Sequence, residues 1–536
     1  MNARLHSSVI AVLVTALGSL GSTGCAAVPR FVDQGVVWRV DDTRQIEEPE
    51  ERDFLVAQYA ADILIMRRLE RVFEVRSSQP AWNTNALDEV PDSSWFTNRI
   101  GLHDLSPEEI YRGIDTGGAP VLPITVASAK LGGTNPGFFA KDKTGRKFVI
   151  KFDPKNNLEM QTAASVIGNR FFWAMGFNVP SDQVFILRRN DVKIGPDATI
   201  TDAVKNKHPF TESALEDILV SAPQLPDGSY RASSSEFVNG KPKGGFAAEG
   251  TRSDDPNDVV PHEHRRELRG LRVFAAWLDH TDMKEDNGLD AYVKDNGRQF
   301  IRHHLIDFGE ILGAHAAEKG RREDGFEHYW DWESQPKAIF AFGLWKRPWE
   351  DRVPSGFTSV GSIPTTDFDP KTWREAYPYW PFFETDAADS FWGAKIVMRF
   401  DRPRIEAAVR AGMLSSPEAS AYIVNALLVR REKIGRAYIE GVTPLDHFTV
   451  GPAGLCAIDL GTRYGLAHGG NVEHLDHEGK VLESRVIAAD GRVCVAQPRA
   501  HYEAVRLRVR RLDEAKPPMQ VHVVDGARVV GVVRVE

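Results

Sequence analysis

Between Val121 and Met175 the chain changes its hydrophobic period from two to about 3.6, and this ordered switch constrains the fold more than any other stretch. Ile124 to Ser128, Gly137 to Asp142 and Lys147 to Phe152 read as short strands, the last two joined by a Lys143-Thr144-Gly145 turn. The first two are linked by Leu131-Gly132-Gly133-Thr134-Asn135-Pro136-Gly137, small and flexible enough for backbone amides to approach a phosphate. A helix is then expected from about Leu158 to Met175, with Ala164, Ile167, Phe171 and Ala174 along one face.

A second cluster of chemistry-bearing residues lies downstream. Arg265 to Leu278 has helical spacing and delivers the chain to His280-Thr281-Asp282-Met283-Lys284-Glu285-Asp286-Asn287, with Ile306-Asp307-Phe308-Gly309 following at hairpin distance. These are the H-x-D-x-x-x-x-N and D-F-G frames of protein kinases. The run from Gly132 to Pro154 is similar to the same region of HipA-type and phosphatidylinositol-kinase-like enzymes, atypical members of the kinase-like fold.

The resemblance implies an α+β, two-lobed protein-kinase-like fold using ATP and Mg²⁺ or Mn²⁺. It implies that Asp282 orients an acceptor hydroxyl and takes its proton, and that Asn287 and Asp307 hold the metal. Lys151 would contact the α- and β-phosphates, with Gly132, Gly133 and Gly137 in the loop beside them. Lys284 would neutralise the transferred group, or serve as a solvated loop lysine. Glu159 is the expected ion-pair partner of Lys151, only eight positions away. His280 is expected to be structural, Asp279 and Asp286 to face solvent or cap the loop, and the backbone of Glu236 to Val238 to meet the adenine. The loop departs from G-x-G-x-x-G, which weakens the expected phosphate grip.

The flanks divide the rest. A charged Met1 to His6, an apolar Val9 to Leu20 and small residues up to Cys25 read as an export signal, too short to span a membrane. Ser22-Thr23-Gly24-Cys25 resembles a bacterial lipoprotein box in which Cys25 is acylated, which implies a membrane-anchored protein of the cell envelope, facing the periplasm or cell surface from the outer membrane. The alternatives are a plain secretory signal or an apolar start with a coincidental cysteine. Residues 26–118 read as an N-terminal helical extension, with a helix-like Arg52 to Phe73 and a capping box at Ser106-Pro107-Glu108-Glu109. Residues 119–240 form the expected first lobe, with an insertion between about Arg188 and His262, and residues 241–446 the second. Seven of the 12 tryptophans fall between Trp330 and Trp392, as core or as a substrate groove. Helical signals return at Arg402 to Ala411 and from Ser416 to about Glu440, and beyond His447 short alternating runs joined by Asp525-Gly526 predict a small β-sandwich at 447–536. Its two cysteines, Cys456 and Cys494, read equally as a disulfide or as two buried thiols.

A net charge of -9 argues against nucleic-acid binding, which draws its affinity from lysine and arginine. Two readings follow: an envelope-anchored ATP-dependent phosphotransferase acting on a protein, lipid or sugar hydroxyl, or a nucleotide-binding pseudokinase scaffold without turnover.

Overall fold

A computed structural model describes residues 31, 41–53, 56–72, 79–130, 135–202, 206–315, 321–512 and 514–534. Cys25, Gly132 and Gly133 lie outside the described residues. The N-terminal segment contains helix α1 (Val56–Ala61), a π-helical turn (Asp62–Met66), α2 (Arg67–Val72) and α3 (Pro107–Arg112). Ser106 and Glu109 close the capping box of α3 reciprocally. Of the expected helix face, Ile63 is buried but Leu69 points outward.

The large sheet is formed by β1 (Ile124–Ala129), β2 (Gly137–Lys141), β3 (Lys147–Phe152), β4 (Asp182–Leu187), β5 (Val192–Thr201), β6 (Lys207–Pro209) and β7 (Tyr230–Glu236), in the order β4-β7-β3-β2-β1-β5-β6. All neighbours are antiparallel except β1 and β5. The expected insertion is therefore built into the sheet, because β5 pairs with β1 and carries β6 at the edge. Period-two alternation gives the sheet two chemically different faces. Phe148, Ile150 and Phe152 of β3 join Phe185, Leu187 and Ala232 in one core with Leu215 and Leu219 of helix α5 (Glu212–Ser221). Lys151, Ser233 and Asp182 occupy the opposite face, toward α4 (Met160–Met175).

A separate and larger core holds α4 together with α6 (Arg266–Leu278) and the helices that follow the site. Strands β8 (Lys241–Pro242), β9 (Gly288–Asp295) and β10 (Arg298–Leu305) form a small sheet beside it. A short α7 (Ser334–Phe340) precedes α8 (Trp380–Phe383), α9 (Ala387–Met398), α10 (Arg402–Ala411) and α11 (Pro417–Ile434). Trp95, Phe96 and Ile100 of the N-terminal segment are buried in this same core. The tryptophan-rich stretch divides: Trp373, Trp380 and Trp392 are core, whereas Trp330 and Trp332 stand half exposed. Truncating one of the buried three to alanine would cost about 3–5 kcal/mol.

From Leu445 the chain is β-rich. Strands β11 (Leu445–Gly451), β12 (Gly454–Asp459) and β15 (Arg492–Val495) form one sheet, with helix α12 (Leu460–Arg463) after β12; β13 (Asn471–Leu475), β14 (Val481–Val486), β16 (Tyr502–Arg510), β17 (Met519–Val524) and β18 (Arg528–Val533) form another. Leu455 and Val493 of the first meet Val472, Val505 and Val521 of the second in a shared core, which is a β-sandwich. Asp525 and Gly526 turn β17 into β18 with positive φ at both positions, as a tight hairpin requires. Cys456 and Cys494 face each other across β12 and β15 and are joined as a disulfide, with their Cα atoms 4.0 Å apart.

Candidate active site

Where the two larger cores meet, the Lys151 ammonium lies 2.6 Å from Asp307 Oδ1. Strand alternation turns Lys151 away from the aliphatic core, and Gly137 sits directly opposite it on β2. Asp307 has left-handed backbone (φ 62°) and starts a short turn, Phe308–Glu310. Phe308 anchors that turn by stacking on Phe172 of α4, centroids 5.0 Å apart. Gly168 permits the approach, because a Cβ there would fall 2.5 Å from Ile311 Cδ1 and 2.9 Å from Phe308 Cβ. Burial by itself would raise the Asp307 carboxyl; the ammonium of Lys151, with Lys130 and Lys284, outweighs it and holds the group well below the usual carboxylate range.

Asp282 comes from the loop after α6. Of the two places expected for Asp279, solvent or a cap, the structure shows the cap: it ends that helix in left-handed conformation and is buried, accepting hydrogen bonds from Trp373 Nε1 (3.0 Å) and Arg430 Nη2 (3.2 Å). His280 is buried with no partner on Nδ1, and burial pushes its imidazole down to about 4, so it is neutral at physiological pH. Lys284 Nζ donates to both Asp282 oxygens at 3.0 and 2.9 Å, and Asn287 Nδ2 donates to Asp282 Oδ2 at 3.0 Å. Burial would depress Lys284, but Asp282 outweighs it and raises the ammonium's pKa.

Asp282, Lys284, Asn287, Asp307 and Lys151 therefore converge in two hydrogen-bonded groups, and Gly137 lies beside them. Glu159 does not join them. Its backbone caps α4 in left-handed conformation, and its carboxylate accepts from Ser415 N and Oγ, both at 3.0 Å. The Lys151 ion pair goes to Asp307 instead, because the chain from Lys151 to Glu159 must first turn into α4. At the expected adenine contacts the N–H groups of Glu236 and Phe237 are already bonded, to Ser181 O and Lys147 O.

Four further residues bear on the site. Burial, then the neighbouring Lys151, pushes Lys130 down to about 8. Burial, then the charge of Asp282, raises the Glu310 carboxyl far above its ordinary range. Asp182 is fully buried on the Lys151 face of the sheet, hydrogen-bonded to Ser165 Oγ at 3.2 Å, and burial raises it to about 6. Gln161, 3% exposed, has no partner on either amide atom, and its Oε1 and Asp307 Oδ1 lie 3.9 and 3.8 Å from one point beside Gly309. Lys130 abuts the glycine loop and Glu310 follows Gly309, so adjacency could have flagged both; Asp182 and Gln161 carry no local signal.

The donor set fits a hard divalent cation. Asn287 bonds through its nitrogen and leaves Oδ1 available, and Asp307 adds carboxylate oxygen. Among the described residues no three His, Cys, Asp or Glu side chains cluster as a complete metal cage. Two protein oxygens alone would leave most of a divalent cation's positions to other ligands.

No protein-family model and no curated protein matches the chain. Among solved structures, the Helicobacter pylori proinflammatory kinase CtkA is 12% identical over 58% of this chain and 94% of its own, at a TM-score of 0.30. The Golgi casein kinase is 10% identical over 74% of this chain and 95% of its own, at 0.32; its form with Mn/ADP bound is 12% identical over 53% and 74%, at 0.22. Overlap at this level places no residue, and the site is defined by its own hydrogen bonds.

Proposed function

We propose that this chain is an ATP- and divalent-metal-dependent phosphotransferase of atypical kinase type, transferring phosphate to a hydroxyl acceptor. The observation that carries it is the convergence of Lys151 and Asp307, from two separate cores, beside the Asp282–Lys284–Asn287 cluster. Asp282 orients the acceptor hydroxyl and takes its proton as the oxygen bonds to the γ-phosphorus and the bond to ADP breaks. Lys284, already on Asp282, supplies positive charge at the transferred group. Asn287 Oδ1 and Asp307 would hold a divalent cation, Mg²⁺ or Mn²⁺, which would supply positive charge against the phosphates. Lys151, paired with Asp307 here, would supply its charge to the α- and β-phosphates.

Residues 26–536 incubated with labelled ATP and Mg²⁺ or Mn²⁺ should transfer phosphate, Asp282→Ala should abolish transfer while retaining nucleotide, and Asp307→Ala should weaken metal-dependent nucleotide binding. Absence of both binding and transfer in the unaltered protein sinks the reading. Binding without transfer selects the pseudokinase scaffold.

The proposal extends to location: a lipid anchor at Cys25 in the bacterial envelope. The Cys456–Cys494 disulfide supports an oxidising compartment. Cys25→Ser should move the protein from the membrane to the soluble fraction; retention in the membrane by that variant counts against acylation.

A further inference from the structure

Four apolar side chains stand largely in water on one turn. α7 ends at Phe340, and the chain reverses through Phe342 and Gly343, both with left-handed backbone, φ 48° and 81°. The turn bonds to itself: Ala341 N–H donates to Lys337 O at 3.0 Å and Leu344 N–H to Ala341 O at 2.8 Å. Its side chains find no such cover, with Ile339 69%, Phe340 77%, Phe342 89% and Leu344 93% exposed. A non-glycine residue held at positive φ with its aromatic ring in water is costly twice over, in backbone strain and in exposed apolar area. An exposed cluster of this kind marks a surface that is covered in use.

The surroundings of the turn specify the cover. Residues 338–345 form an uninterrupted apolar run, preceded by Lys337 and followed by Lys346 and Arg347. No acidic residue occurs from Ser334 to Trp349; beyond it Lys346 pairs with Asp351 at 2.6 Å and Arg347 with Glu327 at 2.7 Å, so the cation that serves the turn itself is Lys337. Lys337 Nζ lies 4.1 Å from the centre of the Trp345 ring, so cation and indole form a rim below the apolar tip. Trp332 Nε1 donates to Leu64 O, which fastens this segment to the π-helical turn after α1, where Ile65 and Met66 are also exposed. A convex apolar tip, its backbone bonds satisfied within the turn, above a cationic and indole rim, matches the headgroup boundary of an anionic bilayer.

We propose that the Ile339–Leu344 turn inserts into the surface of an anionic membrane. This contact is separate from acylation at Cys25 and from the phosphotransferase reading, and its test reads neither.

The full chain carrying Cys25→Ser, so that no acyl group contributes, is co-sedimented with phosphatidylglycerol-containing vesicles and with phosphatidylcholine vesicles. Binding should favour the anionic vesicles. Phe342→Asp with Leu344→Asp should lower it by about tenfold or more without changing the melting temperature, since both residues are exposed. Lys337→Glu with Lys346→Glu should remove the preference for anionic lipid while keeping the apolar tip. Equal vesicle binding by the unaltered and double-aspartate proteins overturns the proposal. So does concentration-dependent self-association that the aspartates abolish without any change in vesicle binding, which would make a second copy the occupant.

Discussion

Glu159 holds Ser415, accepting from its backbone N–H and its hydroxyl, and thereby ties the start of α4 to the segment between α10 and α11. The glutamate that sequence spacing offers as the partner of Lys151 is thus a fastening between two helical elements.

Replacing Glu159 with alanine should cost about 1–3 kcal/mol of stability, because it leaves two donors of Ser415 without their acceptor. Nucleotide affinity should stay within about twofold of the unaltered protein, whereas Lys151→Met should weaken it by an order of magnitude or more. Thermal unfolding and a fluorescent-nucleotide titration on both variants check this; a large affinity loss in Glu159→Ala would return that residue to Lys151.

Asp182 sets a pH dependence. Its folded carboxyl is raised to about 6 by burial, whereas in the unfolded chain it titrates near 4. Between those values the folded state binds the proton and the unfolded state does not, so stability falls as pH rises from about 4 to 6, by up to about 3 kcal/mol. Asp182→Asn should flatten that slope in urea denaturation series across the same window. An unchanged slope would remove Asp182 as its source.

Glu310 is held protonated by burial and by Asp282, so glutamine at this position mimics its neutral-pH state. Glu310→Gln should retain most of the transfer rate at neutral pH. It should also abolish any decline at alkaline pH that arises when Glu310 ionises beside Asp282 and Asp307. Rate–pH profiles of the two proteins test this, and an equal alkaline decline in both would assign the titration elsewhere.

The disulfide closes a 38-residue separation and should contribute about 4 kcal/mol to the β-sandwich. Cys456→Ser with Cys494→Ser, or reductant on the unaltered protein, should lower the sandwich unfolding transition by that order, measured by calorimetry. Identical melting with and without reductant would show that the bridge adds nothing.

Local pattern made the loop residues legible. Asp282, Lys284 and Asn287 lie within six positions, so their juxtaposition needs only one turn of chain, and Asp307 follows after the β9–β10 hairpin. The partner of Lys151 was not legible, since Asp307 lies 156 residues away and the pairing depends on how two cores dock. Asp182 and Gln161 reach the site through sheet alternation and a helix face, which no short motif records. Tryptophan content foretold packing but not its direction: Trp373 and Trp392 went inward while Trp330 stayed half exposed. The stretch after Arg188 read as an insertion because β5 pairs in parallel with the distant β1 rather than with a sequence neighbour.

The bridge between β12 and β15 also encloses β13 and β14, which belong to the other sheet. Under tension applied through the chain ends, force would pass across the sulfur–sulfur bond and bypass everything between Cys456 and Cys494. That segment would contribute none of its contour, roughly 13 nm at about 3.5 Å per residue. The sandwich would therefore extend less by that length while oxidised and gain it once reduced.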